Sequence, residues 1–341
     1  MRDMQLPIDR SKWLDYAVKG TVVAVVLAIA VFAYVIISTQ LRERNATPAA
    51  RAVANLTQAV KENPNNVTAR LRLADAMSAA GRIREATEQY QVALELSPDD
   101  PGALAGLAQI AMNQGEWRTA EGYWQRIIDT LSAGQYSAVD QRLEKAYFYM
   151  GSTLMELKEY EEAATYLREA LRMRNDASDT YFMLAIAYRE MGSPERFREN
   201  LEMALQFDPL LPEANYELGK ILLEEGDVAA AAEHFRVSAD NAPPDRTEPA
   251  DALEELGSAS EHLEAAQAAV EAGDTETALA EARICAALDP NSLEASRIIA
   301  RSYDALGKTV EARTAWERVL TLEPGDAEAI EAITRLDAAN N

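Results

Sequence analysis

The sequence predicts an all-α protein, a solenoid of stacked helical hairpins preceded by a single transmembrane helix. Four observations carry this. Small residues return with a 34-residue period, interrupted by two insertions, at Ala74, Ala108, Gly151, Ala185, Gly219, Ala266 and Ala300. Twelve residues after each comes a second set, Ala86, Ala120, Ala163, Phe197, Ala231, Ala278 and Ala312. Between the sets stands glycine, at Gly81, Gly115, Gly192, Gly226, Gly273 and Gly307, replaced once by Lys158. Finally, the stretch from Gly20 to Leu41 carries no charged residue. A period of this length fits helix–turn–helix units, because one such pair cannot bury its apolar face alone and must stack on a neighbour. Small side chains let paired helices approach and glycine permits a tight reversal. Proline, at Pro98, Pro209, Pro243, Pro290 and Pro324, stops the second helix.

Residues 1–19 form an N-terminal tail with Arg2, Arg10, Lys12 and Lys19. Residues 20–41 follow as the anchor. Gly20–Ile37 is almost wholly Val, Ala, Ile, Leu, Phe and Tyr, and its eighteen residues reach about 27 Å as a helix, close to the hydrocarbon thickness of a bilayer. Trp13, Tyr16 and Tyr34 sit near its ends, where amphipathic rings favour the interface. The competing reading is a cleaved signal peptide. Its apolar region is shorter and is followed by a small-x-small site, whereas this run ends in Ile-Ile-Ser-Thr-Gln-Leu-Arg. The basic excess of the tail over Arg42, Arg44 and Arg51 favours a cytoplasmic tail, with the repeats outside in a bacterial periplasm or extracellular space. Abundant Ala and an excess of Arg over Lys fit a GC-rich bacterial genome, hence a bacterial inner membrane. The single Cys285 removes disulfides from the argument.

Residues 42–66 read as a linker and N-terminal capping helix, with 50–62 a lone second helix carrying Leu56, Ala59 and Pro64 in register. Seven units follow over 67–326: 67–100, 101–134, 144–177, 178–211, 212–245, 259–292 and 293–326. A large residue near the start of the first helix stands at Leu104, Tyr147 and Tyr181. A hydrophobic residue precedes the small one at Leu73, Leu107, Met150, Leu184, Leu218 and Ile299. An aromatic residue marks the second helix at Tyr90, Trp124, Phe235 and Trp316. In length and residue type this pattern resembles the tetratricopeptide repeat family over roughly three quarters of the chain. Departures are Phe197, Lys158, and Ser132 and Asn175 where proline is usual. The resemblance implies a right-handed superhelix whose concave face is lined by first helices and receives peptides or partner helices.

The insertions occupy 135–143 and 246–258. The second carries Pro249 among charged residues, and 250–272 has helix-forming composition apart from Gly257, so a lengthened first helix is expected there. Two readings stay open: a bend dividing the stack after repeat five, or a tolerated surface bulge. Residues 327–341 close the chain as a C-terminal capping helix with an apolar face of Ile330, Ile333 and Leu336.

The formal charge of −23 repels phosphate backbones, which argues against nucleic acid. A basic partner or a plain solubilising face both fit it. Nothing points to an enzyme, a cofactor or a metal site. His234 and His262 lie in different repeats without a metal-spacing motif, and neither a phosphate loop nor a nucleophile elbow occurs. Cys285 holds the slot of Ala93, Ala170 and Ala204, which marks a packed structural thiol.

Carrying the family's groove positions onto this chain gives a candidate protein-binding strip. Phe148, Phe182 and Tyr216 are spaced by 34 residues, so stacking would set them side by side as an aromatic ladder. One turn on stand Ser152, Ile186 and Lys220, then Met155, Arg189 and Leu223. Such a strip suits an amphipathic helix or an extended segment; the same pattern also fits consensus packing. Arg297, Arg301 and Lys220 could receive acidic groups of a partner. The family's clamp for a chaperone's terminal carboxylate is not expected, because Asp75, Gln109 and Ser152 stand where its Asn would be. The function implied is a membrane-anchored scaffold or adaptor binding a protein partner. It resembles repeat proteins of bacterial envelope machinery, such as those of cytochrome c maturation, outer-membrane assembly, pili or secretion. The alternative is a structural scaffold that self-associates as a homo-oligomer.

Overall fold

The computed structural model describes residues 21, 27–34, 47–134 and 139–339, and every regular element among them is helical. The proposed anchor, 20–41, lies largely outside the described residues. Of it, residues 21 and 27–34 are described; they are helical, with Leu27, Ile29, Val31, Phe32 and Tyr34 exposed. Among the described residues no helix is long and apolar enough to cross a membrane. The chain divides into two compact units, up to Glu116 and from Trp117 onward.

The first unit holds α1 (Pro48–Glu62), α2 (Val67–Ala79), α3 (Ile83–Leu96) and α4 (Pro101–Asn113), each packed on the next. Val53 and Val60 of α1 are buried, so this helix covers the open side of the first hairpin. The second unit runs through α5 (Trp117–Ser132), α6 (Gln141–Glu156), α7 (Tyr160–Met173), α8 (Ser178–Glu190), α9 (Pro194–Phe207), α10 (Pro212–Glu224) and α11 (Val228–Asn241). It continues with α12 (Glu248–Glu254), α13 (Ala259–Ala272), α14 (Thr275–Leu288), α15 (Leu293–Ala305), α16 (Thr309–Leu322) and α17 (Ala327–Ala339).

The hairpin chemistry is local. The glycines after the first helices all take left-handed φ between 68° and 86°, and the following amide reaches back to the helix, as in Arg82 N to Met77 O at 2.8 Å. Lys158 adopts the same conformation at φ 62°, with Glu159 N bonded to Leu154 O at 2.9 Å. The exception in sequence is therefore no exception in backbone. The small slots work by contact: a Cβ added at Gly219 would lie 2.7 Å from the Phe235 ring, and one at Gly151 would lie 2.6 Å from Leu167. Phe235 and Trp316 are almost fully buried, and truncating such a side chain costs about 3–5 kcal/mol.

Packing departs from the period after repeat five. The expected lengthened helix over 250–272 is instead two helices, α12 and α13. Gly257 breaks it at φ 115°, and Ser258 and Glu261 then form a reciprocal capping box that starts α13. Elsewhere in this unit the second helix of a repeat packs on the first helix of the next; α11 packs instead on α12 and on α14, the second helix of repeat six. Leu253 of α12 is buried with Phe235, Ile284 and Ala287, and Arg283 Nε bonds Glu233 Oε1 at 2.6 Å across the same joint.

The C-terminal helix α17 buries Ala329, Ala332 and Leu336, whereas Ile330 is 49% exposed, which shifts the apolar face from the one expected. Arg297–Asp326, Arg301–Glu328, Arg313–Asp337 and Arg335–Asp304 ion pairs tie it to repeat seven. Except for Arg297–Asp326, whose carboxylate is buried, these pairs are exposed to solvent and contribute little to stability. The buried apolar face and the Asp326 cap to Ala329 N at 2.8 Å therefore set the helix in place, and the arginines fix its register.

Candidate functional site

The candidate strip lies on α6, α8 and α10. Phe148, Phe182 and Tyr216 are all half-buried, because each ring rests its inner edge on its own part of the core. Phe148 and Met155 pack against the cluster that includes Leu167, Leu184 and Tyr188; Phe182 and Ile186 against the one that includes Leu201, Leu211 and Leu218; Tyr216 against the one that includes Phe235 and Leu253. Their ring partners are local too. Phe148 meets Tyr149 edge-on at 5.3 Å, and Tyr216 meets Phe235 at 5.8 Å. Among the described residues no ring contact joins the three to one another. Leu223 is 39% exposed at the end of α10.

The charged members of the strip are organised by a residue that sequence reasoning passed over. Glu217, only 15% exposed, accepts from Arg189 Nη1 at 3.1 Å and from Lys220 Nζ at 2.8 Å, and so links repeat four to repeat five. The Glu217–Lys220 spacing of three on one helix was a legible signal. Lys220 also lies 4.9 Å over the Tyr216 ring, and Arg189 lies 5.6 Å over Phe197. That contact gives the large residue in a normally small slot a defined place. Arg297 and Arg301, expected to be open to acidic groups of a partner, are engaged within the chain by Asp326 and Glu328, as Lys220 is by Glu217.

The remaining candidates are structural. His234 Nδ1 lies 2.8 Å from Asn215 Oδ1, and the amide nitrogen of buried Asn215 donates to the Pro209 and Leu211 carbonyls. That arrangement leaves Oδ1 as acceptor and Nδ1 of His234 as the protonated nitrogen; burial holds the imidazole below its ordinary value. Cys285 is buried, and burial pushes its thiol up. Among the described residues no group of His, Cys, Asp and Glu is placed to hold a metal ion.

Local hairpins closed by left-handed turns, stacked in sequence order, define a helical repeat protein. Models described as tetratricopeptide repeat match residues 49–92, 79–138, 144–177, 182–246 and 263–328. The chain belongs to the tetratricopeptide repeat family. It is 27% identical over 116 residues to the human Cell division cycle protein 16 homolog, covering 34% of this chain and 19% of that protein. It is 27% identical over 157 residues to the TPR repeat-containing protein YpiA of Bacillus subtilis, covering 46% and 34%. With the Type IV pilus assembly protein PilF of Pseudomonas aeruginosa it shares 24% over 157 residues, covering 46% and 59%. The chain thus matches about a fifth of the human relative's length and a third of YpiA's. Among solved structures, YrrB, described as a TPR protein with an unusual peptide-binding site, is similar at 19% identity and TM-score 0.46, covering 58% of this chain and 97% of that one. The PilF structure is similar at 22% and 0.45, covering 69% and 97%.

Proposed function

We propose that the protein is a membrane-anchored scaffold that recruits a protein partner through the strip on α6, α8 and α10, in a process of bacterial envelope assembly or biogenesis. The observation that carries this reading is the row of half-buried aromatics, Phe148, Phe182 and Tyr216, ending on exposed Leu223. Rings fixed on a packed core and open on one edge anchor a ligand with little loss of rotamer freedom. The Arg189–Glu217–Lys220 bridge holds the helices of repeats four and five in register beneath it. The membrane setting rests on the uncharged 20–41 run. The envelope setting rests on that run and on the relation to a pilus assembly protein. Repeats outside the cytoplasm follow from the basic tail, and a reporter fused after residue 341 tests that orientation.

Replacing Phe148, Phe182 and Tyr216 together by Ala in the full chain tests the strip. Crosslinking in native membranes should lose its principal partner while the helical circular dichroism signal is retained. Unchanged capture by the triple variant rejects the strip. Recovery of the protein alone, with size rising with concentration, supports self-association in its place.

A further inference from the structure

One histidine ties the segment inserted after repeat five to repeat six. Nδ1 of His262, in the first turn of α13, lies 2.6 Å from Oε2 of Glu281 on α14. Its Nε2 lies 3.0 Å from the backbone carbonyl of Leu256, the residue before the Gly257 break. Both partners only accept: one is a carboxylate, the other a backbone oxygen. A neutral imidazole carries one N–H and serves one of them; only the imidazolium serves both. The ring is largely shielded, with its side chain 17% exposed. Leu256 in turn packs against the cluster that holds Leu253, Phe235 and Ile284, so the carbonyl that His262 holds belongs to the segment seating α12 in the joint.

We infer that His262 is a proton-operated latch: protonated, it clamps the end of the inserted helix to repeat six, and deprotonated, it releases the Leu256 carbonyl. The proton leaves from Nε2, because Nδ1 faces the Glu281 carboxylate. The Nε2 lone pair then points at the carbonyl oxygen, and an attraction becomes a repulsion. The charged groups acting on the ring are Glu281 from α14 and Glu261 from its own first turn, the latter held by the Ser258 amide at 3.0 Å and by its hydroxyl. Burial alone would lower the imidazole. The hydrogen bonds to Glu281 and Leu256, with the two carboxylate charges, outweigh burial and hold the group above its ordinary value. The latch therefore stays closed to higher pH than an ordinary imidazole would allow, and opens as pH rises through the raised value. This inference is independent of the scaffold reading.

Hydrogen exchange of the full chain in detergent micelles, corrected for intrinsic rates between pH 5.5 and 8, reads the latch directly. Protection of the Leu256, Gly257 and Ser258 amides should fall about tenfold across a single titration step. His262→Gln should abolish the step, and Glu281→Gln, which keeps the imidazole, should move its midpoint to lower pH. Protection that stays flat with pH, a step that persists in His262→Gln, or a midpoint unmoved by Glu281→Gln each overturns the latch.

Discussion

The ring of Tyr90 occupies the space that a side chain at Gly106 would need: a Cβ added there would lie 2.2 Å from Tyr90 Cζ. The same phenol donates to Asp75 Oδ1 at 2.5 Å, so the ring is held at both its face and its tip. The second helix of one repeat thereby locks onto its own hairpin partner and onto the first helix of the next.

Gly106→Ala should destabilise the protein by about 1–3 kcal/mol, as overpacking of a tight contact does. Chemical denaturation measures it. Tyr90→Leu in the same chain should recover part of that loss, because the two residues share one contact. Additive losses would contradict the contact.

At Lys158 the expectation has the opposite sign. A non-glycine residue in the left-handed region costs about 1–2 kcal/mol, while glycine adds about 0.5–1 kcal/mol of chain entropy to lose. Lys158 is exposed, and among the described residues no ion pair involves it. Lys158→Gly should raise stability by about 0.5–1 kcal/mol, seen as a higher urea midpoint at unchanged slope.

The turn at Lys158 shows how much was legible. Repeat length, the small slots and the hairpin turns are written locally, within a few residues of where they act. A broken glycine pattern therefore did not disturb the fold. The break at Gly257 was legible as well, in Ser258 and Glu261 three residues apart, although the helix-forming composition on either side masked it. The partners of Arg297 and Arg301 were not legible. Asp326 and Glu328 lie 29 and 27 residues away and meet them only through the stacking of α17 on α15 and α16. The shift of the α17 face has a similar cause: two alanines outrank Ile330 because close helix approach favours small residues.

Thr180 is fully buried, and among the described residues its hydroxyl has no hydrogen-bond partner. Repeats one, two, three, five and seven place Ala69, Ala103, Ala146, Ala214 and Ala295 in this slot. Thr180→Val keeps the shape and removes the unpaired group, so it should stabilise by about 1 kcal/mol in a thermal or chemical melt. A loss of stability would mean that the hydroxyl has a partner.

Asp326 gives the C-terminal cap an acid limit. The Ala329 amide, followed by the Arg297 guanidinium, holds this carboxyl below the usual carboxylate range. A carboxyl lowered in the folded state contributes stability that is fully present above about pH 4 and is lost as pH falls through its folded value. Amide protection in α17 should therefore decline below pH 4 in the natural protein. In Asp326→Asn it should be weaker at neutral pH and should lack that contribution to the acid loss.

The central claim is that partners meet this protein on the open edge of α6, α8 and α10. Photoreactive phenylalanine placed singly at Phe182, at Leu223 and, as a control on a second helix, at Glu199 tests it in intact cells. Discrete higher-mass adducts from Phe182 and Leu223, with none from Glu199, are the result the account predicts. Adducts from Glu199 alone would contradict it.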